Sequence, residues 1–288
     1  MPAIEPFPLI VWLYAAVMLS GGLMLCVLTP AFQVPDEPAH FFRAYQVSRG
    51  ILLGQRNADT AGGEVPLAYR DLLSLAPPLL EGGKLTGDTS LAQWHLRTEG
   101  TLVSMRFPNT AAYAALGYLP QASALRVSGL VTSQVMWHLI AARMANFIFF
   151  VFLVSLAMVV FPPCVPAFIF LSALPMVLFL AASASQDATI IGISALYAAL
   201  LLGLLSDQSA AHDGCSPRMF WRDCLLLVAA AFAALVLTLA RPPYIILALM
   251  LPVTASLHPN RRGQAGRSGP SQRSSSASLR CKPEFRFW

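Results

Sequence analysis

Asp36 and Glu37 stand together in the segment Pro35-Asp36-Glu37-Pro38-Ala39-His40, just beyond the first long apolar run of the chain. A carboxylate in the headgroup zone can meet water, a metal ion or a lipid phosphate. Read as a helix from Asp36 that ends at Gly50, this stretch sets Asp36, His40, Arg43 and Val47 on one face. Phe41, Phe42 and Tyr45 lie opposite, and Glu37 falls between the faces beside Asp36 and His40. A carboxylate pair with a neighbouring imidazole can bind a divalent cation or serve as a base. Asp36 can equally cap the helix, with Glu37 and Pro38 in its first turn. The aromatic side is expected to rest on the membrane surface while Asp36, His40 and Arg43 face a cavity.

Asp187, in Ala184-Ser185-Gln186-Asp187, has two open readings as well. It caps the helix that begins at Ala188, or it is a second acid in an outer site shared with Asp36. Arg143 and Arg241, the latter before Pro242-Pro243-Tyr244, are the remaining cations expected at that face. The planar guanidinium suits a lipid phosphate because it makes two parallel hydrogen bonds. Snorkelling to the interface accounts for either arginine taken alone. Other chemistry is unsupported. His95, His138, His212 and His258 lack metal-ligand spacing, and no phosphate-loop, zinc-protease or nucleophile-elbow motif occurs. His138 is expected to mark a membrane boundary.

The elements that position these residues follow from composition. Of 288 residues, 56% are hydrophobic and only 11% charged. A soluble domain carries about 25% charged residues, so the bilayer is the solvent of this chain. The sequence pI near 9.1 comes largely from the last thirty residues, which argues against a nucleic-acid partner. Apolar runs at 8–29, 138–161, 167–184, 188–205, 224–240 and 243–257 predict an all-α integral membrane protein with about six transmembrane helices. The first is expected to be an uncleaved signal-anchor, since no basic residue precedes it. Arg218, Arg222, Arg261 and Arg262 then put the N-terminus in the cytoplasm and the large loop 30–137 outside. Residues 1–29 form a stub and first helix, 30–137 the extracytoplasmic loop, 138–258 a five-helix bundle and 259–288 a disordered basic tail. Within the loop, Asn109 to Val131 is read as re-entrant or interfacial short helices with Tyr113 and Tyr118 at headgroup level. Gly62-Gly63 and Gly82-Gly83 punctuate it. The five cysteines form no CxxC pair and imply no disulfide framework. The tail is either a genuine basic extension or the out-of-frame end of a longer reading frame, and its abrupt onset favours the second.

Thr29-Pro30, Pro35-Asp36-Glu37-Pro38-Ala39-His40-Phe41, Arg43-Ala44-Tyr45 and Gly50 resemble the opening signature of a bacterial polytopic membrane family, domain of unknown function 2142. Arg143 with Asn146, Ala184-Ser185 with Asp187, and Arg241-Pro242-Pro243-Tyr244 extend the resemblance over roughly Leu28 to Pro252. That family in turn resembles the C-type glycosyltransferases, which use polyprenyl-phosphate sugars at the outer face of the membrane. The resemblance implies a bacterial inner-membrane protein acting in cell-envelope glycan assembly. Asp36 or Glu37 would be base or metal ligand, Asp187 a second acid, and His40, Arg43, Tyr45, Arg143 and Arg241 substrate contacts. Such families carry further helices after the Arg241 region, where this chain has its polar tail. A non-enzymatic export or transport subunit, or an inactive truncated product, is the alternative reading.

Overall fold

The computed structural model describes residues 6–57, 60–76, 82–206 and 217–257. Helix α1 (Pro6–Leu28) contains no charged residue and is apolar on every side, as a lipid-facing span must be. Its 23 residues reach about 34 Å at 1.5 Å each. A turn leads into α2 (Glu37–Ser48), which ends as the sequence predicts: Gly50 takes φ +85° just past the C-cap, and its N–H bonds the Val47 carbonyl at 2.9 Å.

The rest of the large loop mixes helix and strand, where helices alone were expected. Strands β1 (Gln55–Asn57), β2 (Thr60–Pro66) and β3 (Leu102–Arg106) form an antiparallel sheet with β2 in the middle; Gly62 pairs with both Gln55 and Arg106. The Gly62-Gly63 pair, read as loop punctuation, is the interior of β2. A Cβ on Gly63 would stand 1.8 Å from the Gln46 amide nitrogen, which donates to the Gly62 carbonyl. Around the sheet lie α3 (Leu67–Leu75), α4 (Gly87–His95), α5 (Pro108–Ala111), a 3-10 turn (Ala115–Tyr118) and α6 (Leu119–Val131). The segment Asn109 to Val131 is thus a set of short helices, and α6 at 13 residues is too short to span.

A second departure concerns α2. Phe41 and Phe42 do not rest on a membrane surface but are buried against Phe32, Tyr69 and Phe107. Together with Leu72, Tyr118 and Leu139 they form a core shared by the loop and the start of α7 (Val135–Val160). The sheet and α3 cover the aromatic side, so the hydrophobic effect holds it within protein rather than lipid.

The membrane part comprises α7 (Val135–Val160), α8 (Val165–Ser172), α9 (Pro175–Ala181), α10 (Asp187–Ser206), α11 (Pro217–Ala240), α12 (Ile245–Ala248) and α13 (Met250–Leu257). Among the described residues, α1, α7, α10 and α11 are long and apolar enough to cross a bilayer. The run expected as a straight span at 167–184 is instead a pair, Pro162–Ser172 and Pro175–Ala181, bent by 81°. The cause is Pro175: it has no N–H to give, and Leu174 before it is driven to extended geometry at φ −58°, ψ 134°. The sixth expected span is likewise short pieces: Pro242 and Pro243 open it as a 3-10 turn, and Pro252 has no N–H to give the Ala248 carbonyl across the break at Leu249. Among the described residues, four helices, or five if the bent pair counts as one span, are long and apolar enough to cross, beside the about six read from hydropathy.

Candidate functional site

The turn between α1 and α2 holds two non-glycine residues in left-handed backbone, Phe32 at φ 59° and Asp36 at φ 60°. Aspartate tolerates this conformation; for phenylalanine it costs free energy that burial of its ring must offset. The turn leaves Asp36 exposed, and its side chain makes no capping bond. Its carboxylate is therefore not consumed by the helix, contrary to the capping alternative.

One turn along α2, His40 is buried, with Nδ1 2.7 Å from the Tyr118 hydroxyl and its ring stacked on Tyr113 at 6.2 Å. The guanidinium of Arg241 lies 5.5 Å above the other ring of that stack, Tyr113, and pairs with the Asp187 carboxylate. Burial pushes the His40 imidazole down to about 4, and Asp187, Arg241, Asp36 and Glu37 are all close enough to bias it. Burial likewise raises the Tyr118 phenol well above its ordinary value. At neutral pH the His40–Tyr118 pair is therefore uncharged. After bonding Asp187, Arg241 still has a buried Nε donor with no partner among the described residues. That donor, the exposed Asp36 and the neutral imidazole make a small site with both an anion-binding group and a base.

Asp187 is the first residue of α10, and its N–H bonds the Ser185 hydroxyl at 3.2 Å, so Ser185 caps that turn. The turn itself is fixed from behind. Asn146 of α7 donates to the Ser183 and Ser185 carbonyls at 2.8 and 2.7 Å and accepts from Gln121 at 2.8 Å.

Glu37 has a different role from the base or metal ligand expected of it. It is fully buried, with both oxygens 2.7 Å from Arg143, and one of them also accepts the Ala184 N–H at 3.0 Å. Arg143, expected as a phosphate contact, spends its other donors on the Cys26, Thr29 and Pro30 carbonyls, the orphan acceptors at the end of α1. The two form a latch joining α1, α2, α7 and the 183–185 turn. A divalent cation does not fit an Asp36–Glu37 pair arranged this way, and no group of three potential ligands lies together among the described residues.

Arg43 does not face a cavity either. It is buried and donates to Gln46 and to the Ile51, Leu52 and Tyr113 carbonyls. Tyr45 sits away from the cluster, edge-on to Tyr69 at 5.3 Å. Of the eight residues singled out in the sequence, Asp36, His40, Asp187 and Arg241 converge. Tyr113 and Tyr118, read from the sequence only as headgroup-level residues, join them, because the 3-10 turn that ends at Tyr118 packs against α2 and α11.

An open apolar groove of about 860 Å³ runs between the 3-10 turn, α6, α7, α10 and α11, and its wall comes within two residues of Asp187 at Thr189. Leu116 and Leu119 flank Tyr118; Ile148, Phe152, Ile193 and Phe232 continue the walls down α7, α10 and α11. Comparisons with curated proteins and with solved structures give no match. Residues 19–272 match the model of the family described as Predicted membrane protein (DUF2142), and with most of its length matched the chain belongs to that family.

Proposed function

We propose that this membrane protein is a glycosyltransferase-like enzyme that takes its sugar from a polyprenyl-phosphate donor and acts in cell-envelope glycan assembly at the bacterial inner membrane. The observation that carries the reading is that a charged cluster, Asp36, His40, Asp187 and Arg241, adjoins an apolar groove whose wall begins at Thr189, two residues past Asp187 on α10. Such a junction suits an amphiphile with a phosphate at the head and an isoprenoid chain in the groove. Arg241 would hold the phosphate through the Nε that Asp187 leaves unbonded.

In the transfer, the Asp36 carboxylate would take the proton of an acceptor hydroxyl. The freed oxygen bonds the anomeric carbon as the bond from that carbon to the phosphate oxygen breaks. The electron pair leaves on the lipid phosphate, whose charge Arg241 offsets. Asp187 would orient Arg241, and the uncharged His40 would hold the buried Tyr118 behind Leu119 of the groove wall. The N-terminus lies in the cytoplasm on this reading, with the cluster outside.

The test is a complemented deletion strain carrying Asp36→Asn or Arg241→Gln. Lost envelope glycan and accumulated lipid-linked sugar, with normal protein levels, are the expected outcome. Unchanged glycan and lipid-linked sugar pools in both variants would overturn the proposal. One observation favours a second reading: Arg241 is already paired with Asp187, as in a structural strap. A non-enzymatic export or transport subunit would keep full function with Asp36→Asn and copurify with a transporter.

A further inference from the structure

A second pocket, of about 440 Å³, opens at the opposite end of α2. Asp36 and Arg49 are 13 residues apart, about 20 Å along a helix, so this pocket is separate from the Asp187 cluster. Its wall carries Arg49, Arg126, Tyr45 and Tyr69, with Gly129 and Leu130 of α6 on one side. No Asp or Glu is among the described residues that line it. Arg126 uses one nitrogen on the Ser48 carbonyl at 3.1 Å, and Arg49 makes no ion pair with a described carboxylate. Both arginines are exposed residues. Two unpaired cations around one concavity favour an anion.

Three further features set the depth of this pocket. His138 lines it and belongs to the first turn of α7, where that helix leaves the loop. Next to it Trp137 is half exposed and stacks edge-on with Trp94 at 5.5 Å, as aromatic side chains do at a membrane–water boundary. At the pocket's rim, α6 bares Leu130 and Val131, 85% and 81% exposed, and Val127 continues the same stripe. Cations, an aromatic pair and bare apolar side chains thus border one pocket, the combination that suits the headgroup zone of a bilayer.

We infer that the pocket formed by Arg49, Arg126, Tyr45 and the Gly129 face of α6 is a binding site for the phosphate headgroup of an anionic membrane lipid. The two arginines hold the phosphate, Tyr45 flanks it, and the acyl chains lie along Val127, Leu130 and Val131. The site anchors the α2–α6 pair to the bilayer at the end remote from Asp36. It stands on the membrane reading alone and does not depend on the transfer reaction.

Binding of dioctanoyl phosphatidylglycerol to the purified full chain in a neutral detergent, followed by native mass spectrometry, tests this. Dioctanoyl phosphatidylcholine and glycerol 3-phosphate serve as the zwitterionic and soluble comparisons. Saturable binding of the anionic lipid, at least about tenfold tighter than the zwitterionic one, is expected. Arg49→Gln and Arg126→Gln should each weaken it by about tenfold. Gly129→Leu should abolish it while keeping the fold, because a Cβ on Gly129 meets nothing within 4 Å. Equal binding of both lipids, or wild-type binding by the arginine variants, would overturn the site. Displacement by glycerol 3-phosphate at equal concentration would assign it to a soluble phosphate instead and sink the lipid assignment.

Discussion

An imidazole that loses its water on folding resists protonation, and His40 lies between Tyr113 and Tyr118 with almost no exposure. Its folded pKa near 4 lies below the ordinary value of 6.5, so the unfolded chain binds the proton first. The stability that neutral His40 contributes is complete above about pH 6.5 and is lost as the pH falls toward 4, by on the order of 2–3 kcal/mol. Thermal unfolding of the purified protein across that interval should show a falling midpoint. His40→Gln should flatten the fall, and an equally steep profile in the variant would refute the assignment. At this scale the sequence was informative where charge is scarce. Asp36, His40, Asp187 and Arg241 stood out because a bilayer tolerates few ionisable groups. The same scarcity did not separate sites from struts, so Glu37, Arg43 and Arg143 stood out equally. Which carboxylate oxygen is already bonded is decided by residues more than a hundred positions away.

Among the elements, the long apolar runs and the Gly50 stop were legible because each depends on local chemistry. The bend at Pro175 was legible in principle, since a proline within an apolar run breaks the helix before it. The sheet was not. Gly62-Gly63 has the composition of a turn, and only the close approach of Gln46 and of the Met105 carbonyl makes glycine necessary inside β2. The Glu37–Arg143 latch belongs to this scale because it joins four elements. Glu37→Gln or Arg143→Gln leaves one buried charge without its partner and should destabilise the protein by about 3–5 kcal/mol. Reduced yield and a lower unfolding midpoint in detergent would check this. Glu37→Gln that folds as wild type yet lacks activity would return Glu37 to the catalytic group.

For the whole molecule, the geometry links orientation to the bent pair. Helix α7 runs on for 14 residues past Asn146, about 21 Å, before α8 begins its return. Asn146 nevertheless bonds Ser183 and Ser185, so α8 and α9 carry the chain back over that length. Leu53 of the loop and Pro163 at the far end of α7 are both exposed and should lie on opposite sides of the membrane. With the native cysteines replaced, a membrane-impermeant maleimide should label Leu53→Cys in intact cells and Pro163→Cys only after permeabilisation. The reverse pattern would invert the topology.

The latch also sets an order of events during synthesis. Glu37 leaves the ribosome 106 residues ahead of Arg143, its buried counter-ion. Until α7 is made, α1 can sit in the membrane, but its terminal carbonyls and Glu37 must stay hydrated. The turn that displays Asp36 then keeps its local contacts, Phe32 on Phe41 and Phe42, but lacks the tie to α7. Insertion of α7 brings the guanidinium that closes the end of α1 and neutralises Glu37. Arrival of the 183–185 turn adds the Ala184 N–H and delivers Asp187 beside His40. A nascent chain stalled before α7 would therefore be membrane-bound yet lack the assembled Asp36, His40, Asp187 and Arg241 cluster.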